Sequence, residues 1–421
     1  PSPAPSPSEH ARTGQRADPR EHISPAGPAG PQTQPQSFRQ PKVAKASKRP
    51  LVVVALIAVL TLVGGLTYAV GFRGDDPPSV TTSPSLVDEN PAEDGPGLAP
   101  GPDEKKPQPV PTSGAAEKVK IGVFRGTHPD QVGEFEDWLG RDVPYAVDYS
   151  NRDYWDDVAD PGYMLRAWQD TGYRMVYGVV MLPARDRTVT LAVGAAGDYD
   201  HHFRRLARNL VAHGQGDAII RLAWEFNVSK MRWELTPEDQ TDFVTYWRRI
   251  VTTMRSVPGA EKLRFDWNVN NGGETYDSTI FWPGDKYVDY VGVDVYDISW
   301  AEDTYPYPAD CTGSCRRDHQ VAAWANIENA TYGLNFWSSF ARERGKPLSM
   351  PEWGLWDRSD VDGRGGADNP YFVQRMYEFI DDPRNNVAYQ AYFDVNPEDR
   401  GRHQLSGMPR SESRFRELFG R

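Results

Sequence analysis

A chain of 421 residues leaves room for more than one domain, since even an α/β barrel takes only about 250 residues. The formal net charge of −12 argues against nucleic acid as partner, and residues 119–421 carry 35 Lys/Arg against 47 Asp/Glu. All thirteen Trp lie between Trp138 and Trp356, so the aromatic-rich globular part begins only after residue 118.

Residues 1–50 are dominated by Pro, Ser, Gln, Ala and Arg, with 8 Lys/Arg against 3 Asp/Glu. So little apolar surface cannot offset the entropy of ordering, and a disordered tail is expected. The chain begins at Pro1 rather than Met, so its native start is expected further upstream. Residues 51–72 then run for 22 residues without a charge, long enough for a helix to cross a hydrocarbon core of about 30 Å. Lys42, Lys45, Lys48 and Arg49 crowd the front of this segment, and Asp75 and Asp76 follow Arg73 behind it. The positive-inside rule then puts the tail in the cytoplasm and the large C-terminal part outside, held at the cell membrane by a single-pass signal-anchor. The alternative is a cleaved signal peptide, which calls for a short lead and an apolar core of about 7–15 residues. Only Thr67-Tyr68-Ala69 offers a cleavage site. Residues 73–118 are rich in Pro, Gly, Ser and acidic residues and read as a flexible linker.

From residue 119 to 421, Val/Ile/Tyr-rich runs alternate with helical stretches, the pattern of βα units around a parallel sheet. The strand candidates are 119–125, 145–150, 174–182, 218–227, 263–271, 288–297, 347–353 and 387–394. Between them lie amphipathic segments such as 201–213 and 236–257. The second opens Thr236-Pro237-Glu238-Asp239 and stops at Pro258-Gly259, with Phe243, Val244, Trp247, Ile250, Val251 and Met254 as its buried stripe. A last helix is expected to be capped at Ser411. Eight strands, each with room for a helix, predict an α/β fold of the (β/α)8 TIM-barrel kind. The open doubly wound sheet is the rival, but no Gly-rich phosphate loop follows the first strand.

Alternation along the strands predicts which side chains enter the lumen. In the sixth run Val291, Val293 and Val295 face outward, leaving Asp294 and Tyr296 inside. In the fourth, Arg221, Ala223, Glu225 and Asn227 share a face; in the seventh, Leu348, Met350 and Glu352 do. Asp148 and Asp394 are assigned lumen parity on strands two and eight, with substrate binding as their expected role. Glu225 and Glu352 both fall at the C-terminal rim, where barrel enzymes keep their chemistry. One such Glu would read most plainly as a salt-bridged rim residue, Glu225 with Arg221 for instance. A pair on opposite strand ends suits glycoside cleavage, in which one carboxylate attacks and the other protonates the leaving oxygen.

These residues resemble the retaining glycosidases with acid/base and nucleophile on barrel strands four and seven, and within them glycoside hydrolase family 26, best known for β-mannanases. Arg221, Glu225 and Asn227 fit that family's Arg-x-x-His-Glu-x-Asn, and Glu352-Trp353-Gly354 fits its Glu-aromatic-Gly. Gly122-Val123-Phe124 is also similar. The resemblance spans about 119–400, and its force lies in the set, since each motif is short. It implies Glu225 as acid/base, Glu352 as nucleophile, Tyr296 as the nucleophile's orienting partner, and no metal or organic cofactor. The departure is Trp224, which stands where the family has His and puts mannan specificity in question. Trp224 either floors the sugar site or turns outward as packing.

Trp233, Trp267, Trp300, Trp353 and Trp356 lie near strand ends, where rings stack on sugars or pack the core. Asn268, Asn270 and Asn271 either donate to sugar hydroxyls or cap a loop. Cys311 and Cys315 are expected to form a local disulfide, and the acidic 357–369 stretch to be a mobile rim loop. The function expected is a membrane-anchored, extracytoplasmic, endo-acting retaining glycoside hydrolase whose substrate is a polysaccharide near the cell surface. A non-catalytic glycan-binding or wall-tethering protein, and a transglycosylase, are the alternatives.

Overall fold

Eight parallel strands close on one another in chain order: β1 (Lys120–Phe124), β2 (Tyr145–Tyr149), β3 (Arg174–Val179), β4 (Ile219–Leu222), β5 (Arg264–Asn270), β6 (Tyr290–Tyr296), β7 (Leu348–Gly354) and β8 (Val387–Phe393). The computed structural model describes residues 120–228, 235–272, 276–397 and 401–420. The expected tail, membrane span and linker lie outside them. Among the described residues no helix is long and apolar enough to cross a membrane. All eight expected strands form, and the sheet closes through β1 and β8, paired from Lys120 with Tyr389 to Phe124 with Phe393.

Because successive side chains point to opposite faces, the barrel has two cores. Inside it, Tyr145 and Val147 of β2 meet Val176, Ile219, Tyr389 and Ala391. Outside it, the alternate residues pack against the helices, whose apolar stripes follow the helical period. The helix Gln240–Arg255 buries Phe243, Trp247, Ile250, Val251 and Met254 as the pattern required, with Tyr246 added and Val244 only half-buried. At its approach, Asp239 accepts from the Thr236 N–H at 2.8 Å and the Thr236 hydroxyl at 2.9 Å. The last helix, Pro409–Phe419, begins before Ser411. Ser411 instead donates from its N–H and hydroxyl to Asp368 Oδ1.

Two strands depart from regular alternation, and both departures aim site residues. β4 ends at Leu222, and Ala223 and Glu225 adopt left-handed φ values of +50° and +54°, a cost few non-glycine residues accept. Hydrogen bonds from Ala223 N–H to Val179 O (2.7 Å) and from Glu225 N–H to Asn268 O (3.0 Å) hold that turn. In β7 the pairing with β8 shifts between Met350 and Trp353. Leu348 and Met350 therefore pack outward, Ser349 turns inward to Asp266, and Glu352 is again inward. The expected shared face of Leu348, Met350 and Glu352 is thus corrected: a bulge changes the parity between them.

The loops after β6 and β7 clasp each other beside the barrel mouth. Ile298 bridges Gly365, and buried Asp297 accepts from Tyr305 (2.8 Å) and Asn369 (2.7 Å). The 357–369 segment is tied down as well: Asp357 pairs with Arg402 at 2.7 Å, and Arg358 pairs with Asp362 at 2.6 Å. The disulfide Cys311–Cys315 ties the loop after β6 to the first turn of the helix Gly313–Asn329, with a Cα separation of 5.4 Å.

Candidate active site

Strands β4, β5 and β6 place Arg221, Asn268 and Asp294 in one buried layer below the mouth, all without solvent exposure. Arg221 donates from Nε to Asn268 Oδ1 (2.9 Å), from Nη1 to the Tyr149 hydroxyl (2.8 Å), and from Nη2 to Asp294 Oδ2 (2.5 Å) and Glu352 Oε2 (3.1 Å). Asn268 donates to Asp294 Oδ1 at 3.1 Å. A buried cation costs much free energy unless surrounded in this way. Burial opposes the charge on Arg221, but Asp294, Tyr149 and Glu352 outweigh it and hold the guanidinium protonated.

Glu352 stands on this layer with about 8% of its surface exposed. Its Oε1 accepts from the Tyr296 hydroxyl at 2.5 Å, and its Oε2 accepts from Tyr149 as well as Arg221. Burial, and then the charges around them, push both phenols well above their ordinary range, so they stay protonated and donate. Glu225 is equally buried, and its Oε1 accepts from Asn270 Nδ2 at 2.6 Å. One carboxylate oxygen each from Glu225, Asp294 and Glu352 lie within 4.8 Å of one another. Burial, followed by Glu352 and Glu225, pushes Asp294 well above the carboxylate range against the pull of Arg221. Three carboxylates so close are the donor set a metal ion would want, but Arg221 already supplies a cation to two of them.

The remaining expected residues divide. Asn227 braces the turn through its amide, which donates to Asn270 O and accepts from Asn270 N–H, both at 2.9 Å. Trp224 lies against Tyr149, ring centroids 5.4 Å apart, with the Arg152 guanidinium 5.8 Å above its ring. About 4% of its surface is exposed. Trp233 lies outside the described residues. Trp267 and Trp353 do not line a cleft. Trp267 is buried among Phe226, Trp282, Trp337 and Phe340, and Trp353 among Tyr392, Phe415 and Phe419 while donating to Gln390 at 2.5 Å. Both sit at outward positions, where alternation sends a large ring into the helical layer.

Asp148 is corrected for the same reason. Tyr145, Val147 and Tyr149 hold the lumen face of β2, so Asp148 points outward and accepts from Trp168 Nε1 at 2.6 Å. Burial raises its pKa to about 6. Asp394 also leaves the lumen and pairs with Arg125 at 2.6 Å. Asn271 donates to Ile327 O at 3.1 Å. Trp300 is 60% exposed on the loop after β6, whereas Trp356 packs edge-on to Tyr296 at 5.1 Å.

Sequence reasoning missed Tyr149 and His403. The signal for Tyr149 was the run Tyr145-x-Val147-x-Tyr149, whose alternation was overlooked in favour of the charge on Asp148. His403 comes from an irregular segment after β8. Its ring lies 4.9 Å from Tyr296, its Nδ1 meets Leu355 O at 2.8 Å, and burial lowers its pKa to about 4, leaving it neutral.

Replacing Trp267 or Trp353 by Ala tests the corrected assignment. Each variant is expected to lose about 3–5 kcal/mol of stability, read as a lower Tm, while KM for a cleaved glycan stays unchanged. A raised KM at an undiminished Tm would return either ring to the substrate cleft.

A family model described as glycosyl hydrolase family 26 matches residues 207–308, a window that holds Arg221, Glu225, Asn268, Asn270, Asp294 and Tyr296 but neither Tyr149 nor Glu352. Endoglucanase H of Acetivibrio thermocellus is 26% identical over 323 residues, covering 72% of this chain and 30% of that protein. The chain therefore spans less than a third of that relative. A modular endo-β-1,4-mannanase from Cellulomonas fimi aligns with a TM-score of 0.50 at 16% identity, over 72% of this chain and 70% of its own. The catalytic domain of an endo-β-1,4-mannanase from Bacillus sp. JAMB-750 aligns with a TM-score of 0.48 at 16% identity, over 72% and 86%. The Cellulomonas match is one of fold.

Proposed function

We propose that the chain is a member of glycoside hydrolase family 26 and a retaining, endo-acting glycosidase with Glu225 as acid/base and Glu352 as nucleophile. One observation carries the reading: oxygens of the two glutamates lie within 4.8 Å at the C-terminal mouth of the barrel. Retaining pairs stand about 5–5.5 Å apart, whereas inverting pairs need about 6.5–9.5 Å to admit a water.

In the first step Glu352 attacks the anomeric carbon as the glycosidic bond breaks, and Glu225 gives its proton to the leaving oxygen. In the second, water attacks the same carbon, Glu225 takes its proton, and Glu352 leaves as a carboxylate. Arg221 and the two phenols hold Glu352 in place throughout, while Asn270 fixes the Glu225 carboxyl. The names of the relatives favour a β-linked polysaccharide, β-mannan or a β-glucan, as the substrate class. The basic tail and uncharged 51–72 segment favour anchoring in the cell membrane with the barrel outside the cytoplasm.

A panel of β-linked polysaccharides, including the cell's own surface glycans, tests this. Products are read by mass spectrometry and by the anomeric signals of the first turnover. The expected result is shorter oligosaccharides whose new reducing ends first appear in the β configuration. First-formed α products would rule out the retaining pair. Binding without release across the panel would leave a glycan-tethering protein, and products longer than the substrate a transglycosylase.

A further inference from the structure

The two oxygens of Glu352 are not equivalent. Oε2 accepts from both Tyr149 and Arg221, which fills the two in-plane lone pairs of a carboxylate oxygen; Oε1 accepts from Tyr296 alone. Only Oε1 therefore has a lone pair to offer. We propose, resting on the glycosidase reading, that Glu352 attacks through Oε1 and that Tyr149 is a positioning residue which, with Arg221, cradles Oε2 as the carbonyl oxygen of the glycosyl ester.

The balance is complete without a co-reactant. The Oε1–C1 bond forms, the bond from C1 to the leaving oxygen breaks, and the proton on Glu225 goes to that oxygen. Oε2 becomes the ester carbonyl with both donors still in place. When water displaces the ester, the electron pair of the Oε1–C1 bond returns to Glu352, and charge reappears where Tyr149 and Arg221 already point. Donors fixed where charge develops stabilise a transition state without reorganising.

The surroundings show that Tyr149 is held for this geometry. Arg221 Nη1 donates to its hydroxyl at 2.8 Å, so the phenol proton is left for Glu352. Phe124 meets its ring edge-on at 4.9 Å and Trp224 covers another side at 5.4 Å. Gly178 of β3 leaves the space the ring needs, since a Cβ there would lie 2.5 Å from Tyr149 Cδ1. Trp224, in the position before the acid/base, thus acts on the nucleophile's partner.

Tyr149→Phe removes the donor and keeps the ring. With the full chain and a 2,4-dinitrophenyl β-glycoside of the sugar the panel identifies, kcat is expected to fall about 10–100-fold with KM little changed. The acidic limb of kcat/KM is expected to move to higher pH, because the Glu352 carboxylate has lost a stabilising donor. The other groups facing Glu352 stay in place: Arg221 from β4, Glu225 from the turn after it, Asp294 and Tyr296 from β6, and His403 after β8. A wild-type kcat in the variant overturns the proposal. So does a lowered kcat with an unmoved acidic limb and a lowered Tm, which is the mark of packing alone. Labelling of wild-type Glu352 by a 2-deoxy-2-fluoro glycosyl fluoride reads the underlying mechanism separately. Without turnover or label in the wild type, the glycosidase reading itself falls.

Discussion

Glu352→Ala is expected to abolish hydrolysis, with kcat lower by on the order of 10⁵-fold even for a dinitrophenyl glycoside. Among the described residues, the carboxylates beside it are Glu225, which serves the leaving oxygen, and Asp294. Asp294 is the nearest in chemistry, but it is fully buried and engaged by Arg221 and Asn268. The fold should survive, because the buried guanidinium stays paired: Arg221 retains Asp294, Asn268 and Tyr149. Azide is small enough to enter the vacated space and attack the same face of the sugar. It should restore turnover of the activated substrate and give a glycosyl azide of inverted, α configuration. A variant that keeps more than about a hundredth of wild-type activity would remove Glu352 as nucleophile.

Glu225→Ala should divide substrates by leaving group. Loss of a general acid costs about 10²–10⁴-fold, and it falls on substrates whose leaving oxygen needs a proton. Polysaccharide cleavage is therefore expected to drop through that range. A dinitrophenolate leaves unaided, so its glycoside should still form the ester, and the slow second step should appear as a burst of dinitrophenol. Azide added here enters after the ester has formed and gives a β-glycosyl azide of retained configuration. The opposite configurations from the two variants assign the two roles, and identical configurations would cancel the assignment.

The barrel was legible because its physics is local and repeated. Eight apolar runs with helices between them, and valines alternating through 291–295, are consequences of the strand period that no tertiary detail overrides. The positions of Glu225 and Glu352 at two strand ends were legible for the same reason. What escaped came from two sources. Large aromatic rings near strand ends look alike on paper, and only outward parity sends Trp267 and Trp353 into the helical layer. A charge draws attention from a neutral neighbour, so Asp148 was favoured over Tyr149, although one residue decides which of them enters the lumen. His403 gave no periodic signal, since it lies in an irregular segment.

The shift in β7 and the left-handed turn after β4 bear on whether this carboxylate pair can be moved. Glu352 is aimed by a shift in its strand, not by even spacing, and Glu225 sits in a left-handed turn just past the end of its own strand. Grafting Arg221, Glu225, Tyr296 and Glu352 onto the regular strands of another barrel at the same spacing would aim at least one carboxylate into the helices. The portable unit is the bent peptide together with its side chain. A list of residues is not enough.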